Sequence, residues 1–137
     1  MKHPKKTLIT TLGIIIAGIV IAYVTTLGLT KYLDNQYASL HDGCQPNQKV
    51  HEVIIQNNKA TPSHVTANRC EILKISNLDS TDRLMAFGVH DHHMSYDGIS
   101  EKALSNGQSF TVTLVQNGDF LVHDHDDEEV GSTFQVK

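Results

Sequence analysis

The sequence predicts an all-β fold, a Greek-key β-sandwich, preceded by one N-terminal transmembrane helix. Three observations carry this. An uncharged apolar run occupies residues 7–30, short β-type segments separated by turn residues fill the chain from Val50 onward, and no stretch after residue 50 has the apolar spacing of an amphipathic helix.

The apolar run, "TLITTLGIIIAGIVIAYVTTLGLT", is bracketed by Lys5, Lys6 and Lys31. As a helix it is roughly 36 Å long, enough to cross a bilayer. A secretory signal peptide has an apolar region of only about 7 to 15 residues followed by a small-residue cleavage site. Thr26-Leu27-Gly28 is a weak version of such a site, so the reading is an uncleaved anchor, with a cleaved signal as its alternative. Lys2, Lys5 and Lys6 precede the span without an acidic residue, which keeps the N-terminus (1–6) in the cytoplasm and the rest of the chain on the extracytoplasmic side of the cell membrane.

All fifteen Asp and Glu then lie beyond the span, against eight Lys and Arg, leaving the exported part about seven charges negative. That sign attracts cations and argues against nucleic acid as a partner. The sequence identifies no protein partner. Residues 31–49 are polar and broken by Gly43 and Pro46, and read as a stalk leading to a domain over 50–137.

Cys44 and Cys70 are the only cysteines. In an oxidising compartment two cysteines most simply form one disulfide. The alternative is a pair of cysteine metal ligands, which the loop-like "DGCQPN" and strand-like "RCEILKI" settings disfavour.

Within the domain the expected strands are 50–56, 64–68, 71–76, 84–89, 109–115, 119–123 and 132–137. The clearest is 109–115, where Phe110, Val112 and Leu114 alternate with Thr111 and Thr113. Between the strands lie the turn-like "QNNKATP", "NLDSTD", "SNGQ" and "QNGD", while "SEKAL" (100–104) has the composition of a helical turn.

Five of the nine histidines fall in "FGVHDHHMSYDG" (87–98) and "FLVHDHDDEEVG" (120–131), each cluster leaving the end of an expected strand. Residues i and i+2 of a strand share a face with Cα atoms roughly 6.6 Å apart, so His123 and His125 can reach one ion if the strand continues. A single His-Asp dipeptide on a loop is ordinarily a solvated feature. Two clusters at two strand ends are candidate halves of one metal site, with Asp91, Asp97, Asp124 and the run Asp126 to Glu129 available as acceptors for the second ring nitrogens. His41, His51 and His64 are isolated and read as structural, and Met94 reads as an exposed or packing residue, with an axial thioether ligand as its alternative.

The run "NGQSFTVTLVQNGDFLVHDH…GSTFQVK" resembles the C-terminal part of the cupredoxin family, in particular membrane-anchored members that carry H-D-H where blue copper proteins carry their ligand cysteine. His90-Asp91-His92-His93 supplies the H-x-x-H that those relatives have upstream, followed here by Tyr96-Asp97-Gly98. The resemblance covers about ninety residues and implies a sandwich whose metal lies between the loop after one strand and the loop joining the last two. Carried over, it gives His90 or His93 from the first segment and His123 and His125 from the second, with His92 to spare.

The chain departs from the family in two ways. No cysteine stands in the ligand loop, and Asp124 falls about where it would be. "HDHDDEE" also replaces "H-D-H-L-N-P", which brings Asp126 and Glu129 in as carboxylate candidates. The resemblance therefore implies a nitrogen-rich copper site, Cu(II) of the type 2 kind, with zinc as the alternative, and not a copper-thiolate centre. The expected function is metal capture, buffering or delivery. The alternatives are a copper-dependent redox or electron-transfer protein, or a metal-free β-sandwich interaction module.

Overall fold

The computed structural model describes residues 4–44 and 49–137, with the helix side chains described from residue 14. The chain divides into two compact units, residues 1–39 and 40–137.

The first unit is a single helix, α1 (Pro4–Leu40), about 55 Å long at the helical rise. Within Ile14–Leu40 an 18-residue window reaches a mean hydropathy of 1.9, so the helix is long and apolar enough to cross a membrane, as a signal sequence also can be. The threonines inside it are satisfied locally: Thr25 and Thr26 donate to the carbonyls of Ile21 and Ala22 at 3.0 and 2.8 Å, as an apolar medium requires. The helix continues ten residues into the segment read as a stalk, and residues 45–48 of that segment lie outside the described residues.

The second unit is a two-sheet sandwich. Its strands are β1 (Val50–Gln56), β2 (Lys59–Thr61), β3 (His64–Ala67), β4 (Ile72–Asn77), β5 (Arg83–Val89), β6 (His92–His93), β7 (Glu101–Leu104), β8 (Ser109–Thr113), β9 (Gly118–Asp124) and β10 (Asp127–Val136). One sheet runs β2-β1-β4-β8. The other runs β3-β10-β9-β5-β6, with β7 also pairing β5. The pairs β1/β4 and β3/β10 are parallel and the rest antiparallel, so neighbours in space are often distant in sequence, as Greek-key crossovers demand.

All seven expected strands are present, with three more. β2 follows a two-residue turn in which Asn57 and Asn58 both adopt φ of 55°, the left-handed pair that twists a tight hairpin correctly. β7 overturns the helical reading of "SEKAL": Glu101 to Leu104 pair with Ala86 to Arg83, and tertiary pairing outweighs local composition. β10 begins at Asp127, so most of the acidic run lies in a strand, across a bulge between Asp127 and Gly131.

The core lies between the sheets. Val53, Ile55, Leu73 and Ile75 face Phe87, Val122 and Phe134, all at most 1% exposed. Tyr96 is fully buried, stacked 5.6 Å from Phe87, and donates its hydroxyl to the Gln116 carbonyl at 3.3 Å; burial pushes its phenol up to about 12. Cys44 and Cys70 form the expected disulfide, with Cα atoms 5.1 Å apart. Closing that loop contributes about 3.5 kcal/mol on the chain-entropy account.

His41, His51 and His64 are structural, as read. They contact Asp97 at 2.8 Å, Glu71 at 2.6 Å and Thr133 at 2.8 Å. The Glu71 carboxylate accepts from the Asn68 backbone N–H at 2.9 Å and meets His51, and these bonds lower it from 4.5 to about 2. A carboxyl depressed on folding stabilises the fold above its ordinary value and loses that contribution as pH falls through the folded one. The midpoint of thermal unfolding is therefore expected to fall as pH drops from about 4.5 to about 2, and Glu71→Gln to flatten that slope. An unchanged slope in the variant would show that Glu71 is not a source of the acid sensitivity.

Candidate metal centre

Strand register builds the site. Met85, Phe87 and Val122 belong to the core, so alternation turns Ala86, Gly88 and His123 to the opposite face of the sheet. Ala86 pairs with His123 on one side and with Glu101 on the other, and Gly88 pairs with His93. Cross-strand partners share a face, so His123, His93 and Glu101 project together above two small residues. His90 lies in the two-residue turn between β5 and β6. His125 follows the end of β9, its N–H donating to the Leu84 carbonyl at 2.7 Å.

Two glycines make the room. At Gly88 (φ 95°) a Cβ would stand 2.7 Å from the His92 carbonyl oxygen, so only glycine allows the tight return that delivers His90 and His93. At Gly131, opposite His123, a Cβ would stand 2.9 Å from the Val122 carbonyl oxygen and 3.1 Å from the His123 Cβ.

The four imidazoles converge. Ring centroids are 4.8 Å apart for His90/His125, 4.9 Å for His93/His125, 5.6 Å for His93/His123 and 6.2 Å for His90/His123. One ligand atom from each of His90, His93 and His123 lies within 4.8 Å of the other two, and the same holds for His93, Glu101 and His125.

Donor atoms in this cluster are buried without partners. His93 Nε2, both ring nitrogens of His123 and His125 Nδ1 are inaccessible and make no hydrogen bond. Folded proteins rarely tolerate this, since each stranded group costs about 1 to 3 kcal/mol. Three neighbouring imidazoles with such atoms fit a cation that takes their lone pairs. Burial, and after it the charge of neighbouring His93, lowers the His123 pKa, which favours the neutral form that ligates.

Carboxylates flank the rings: Glu128, from the acidic run expected to supply acceptors, and Glu101, which the sequence does not single out. Glu101 Oε1 lies 2.7 Å from His93 Nδ1, and Glu128 Oε1 lies 3.4 Å from His90 Nδ1. Asp97 instead accepts the Thr113 N–H at 2.6 Å and meets His41. Asp126 and Glu129, the carboxylate candidates, are both exposed, and neither joins the donor groups formed among the described residues. His92 pairs with Val89 and turns away from His93, which leaves it the spare. Met94 packs against the core. Glu101 was hidden in the sequence because its position depends on β7 pairing with β5, a contact that "SEKAL" does not announce.

Asp124 has another task. Its side chain is 2% exposed, takes Arg83 Nη1 at 2.8 Å, and accepts the Leu84 N–H at 3.2 Å. Arg83 Nη2 also binds Asp79 at 2.6 Å and Asn58 Oδ1. The position that the family resemblance gives to a thiolate is thus filled by a carboxylate neutralised by a guanidinium, while the histidine cluster stands on the other face of the same strand.

No protein-family model matches the chain, and no curated protein sequence does. Solved structures do. The chain is similar to a novel purple cupredoxin from Nitrosopumilus maritimus (TM-score 0.56, 14% identity, covering 63% of this chain and 98% of that one). It is also similar to an oxidised amicyanin variant (TM-score 0.54, 11% identity, 69% and 87%) and to an amicyanin variant in the Cu(I) state (TM-score 0.52, 12% identity, 69% and 87%).

Proposed function

Starting from a cupredoxin-like sandwich with one apolar N-terminal helix, we propose that the chain is a membrane-tethered, extracytoplasmic metal-binding protein. It takes one ion, Cu(II), on His90, His93, His123 and His125, for capture, buffering or delivery at the cell surface. The observation that carries this reading is the convergence of four imidazoles, three of which (His93, His123 and His125) carry buried nitrogens without a hydrogen-bond partner. Copper is favoured over zinc because nitrogen donors bind Cu(II) most tightly among the divalent first-row metals, and because a neighbouring fold is recorded as a Cu(I) protein. Glu101 and Glu128 supply negative charge beside a divalent ion.

The anchor reading assigns residues 7–30 to the membrane, with 1–6 cytoplasmic. The disulfide supports an oxidising exterior for the domain. A redox role is the second reading, since the amicyanin neighbours are recorded in oxidised and reduced states. Both cysteines here are in the disulfide, so no thiolate is available and a blue centre is excluded from that reading.

The test uses the full chain, purified metal-free in detergent, titrated with Cu(II) against Zn(II) and followed by electron paramagnetic resonance. The expected result is one Cu(II) per chain, a type 2 spectrum with nitrogen couplings, and preference over zinc. Stoichiometric zinc without copper preference overturns the choice of metal. Absence of stoichiometric binding of either ion leaves the metal-free interaction module. Intense blue absorption refutes the argument from the missing thiolate.

A further inference from the structure

We propose that Glu101 is the positioning residue of this cluster: its carboxylate holds the ring proton of His93 on Nδ1 and so presents the lone pair of Nε2 to the other imidazoles. The inference deepens the metal reading, on which its consequence for affinity rests, but the tautomer itself is measurable without any metal.

A neutral imidazole carries one N–H and one lone pair, and an ionised carboxylate can only accept. Glu101 Oε1 stands 2.7 Å from His93 Nδ1, so that nitrogen is the donor. The lone pair then falls on Nε2, which is buried and makes no hydrogen bond. Nothing else in the cluster competes for the same proton: Glu128 approaches His90, and His125 Nδ1 lies 3.9 Å from Glu101, beyond bonding range. Placement is fixed by the sheet. Glu101 and His93 project from two strands on the same side of β5, in register with Ala86 and Gly88. Such carboxylate-histidine partners orient ligands in metal sites generally, and their loss typically weakens metal binding about 10- to 100-fold.

The test is long-range proton-nitrogen correlation of the full chain in micelles, ¹⁵N-labelled at histidine, metal-free and at a pH where the histidines are neutral. His93 is expected to show a protonated Nδ1 and an unprotonated Nε2. Glu101→Ala is expected to shift the proton toward Nε2 and to weaken Cu(II) about 10- to 100-fold at unchanged stoichiometry, with Glu101→Asp restoring part of both. Glu101 is half exposed, so these variants are expected to fold, which the thermal midpoint checks.

A proton on Nε2 of His93 in the parent chain overturns the proposal, as does Glu101→Ala with the same tautomer and affinity. A fall from two bound ions to one in the variant also overturns it, by making Glu101 a ligand of a second ion. The expected tautomer shift in a chain that binds neither copper nor zinc upholds the positioning role and sinks the metal reading alone.

Discussion

Arg83→Met is expected to lower the unfolding free energy of the domain by about 3 to 5 kcal/mol, the cost of leaving one partner of a buried ion pair uncompensated. The side chains of Arg83 and Asp124 are 6% and 2% exposed and meet at 2.8 Å. Removing the guanidinium strands the Asp124 carboxylate, which then keeps only the Leu84 and Asp126 backbone N–H groups, at 3.2 and 3.3 Å. It also strips Asp79 and Asn58 of their shared partner, loosening the β4/β5 loop and the β1/β2 turn together. The double variant Arg83→Met with Asp124→Leu is expected to recover most of the loss, because a buried ion pair contributes little net stability against apolar groups of similar volume. Urea unfolding of the full chain in micelles measures both. A single variant within about 1 kcal/mol of the parent would mean that the pair is effectively solvated.

This pair marks the boundary of what the sequence could tell. Strands with a clean alternation, such as Phe110, Val112 and Leu114 in β8, were legible because their period reflects one buried face. The two histidine clusters were legible because both leave strands of one sheet, and the structure brings His90, His93, His123 and His125 together. The choice of face was not. Whether His123 or Asp124 looks toward the core is decided by the register of β9 on β5 and by Arg83, forty-one positions earlier, which only the fold brings to Asp124. Glu101 was invisible for the same reason. Its role depends on a four-residue edge strand whose composition suits a helix, and pairing to Ala86 gives it meaning. Of the two carboxylates beside the rings, Glu128 was legible as part of the acidic run that follows His125, whereas Glu101 was not, because a sheet makes neighbours of distant residues.

His123→Leu separates binding from folding most sharply. It is expected to weaken Cu(II) by more than about 100-fold, exceeding what loss of an orienting partner causes. The same change is expected to stabilise the metal-free domain by about 1 to 3 kcal/mol, because it exchanges a buried imidazole, whose ring nitrogens have at most a poorly aligned contact with the Gly88 backbone, for an apolar side chain of similar size. Near-complete burial and contact with Gly131 leave His123 no route to solvent, so the metal-free parent bears most of that cost. Saturating copper should reverse the order: an ion at about 1,000 times the parent's dissociation constant raises the parent by about 4 kcal/mol and the variant, bound more than about 100-fold more weakly, by less than about 1.4 kcal/mol. Thermal unfolding of parent and variant, each with and without Cu(II), measures all four states. If leucine destabilises the metal-free domain while copper still protects it, His123 is a packing residue and the ion sits elsewhere. The expected crossing of the two pairs of curves would identify a position where stability has been given up for a ligand, the physical signature that distinguishes a binding site from a buried polar residue of the fold.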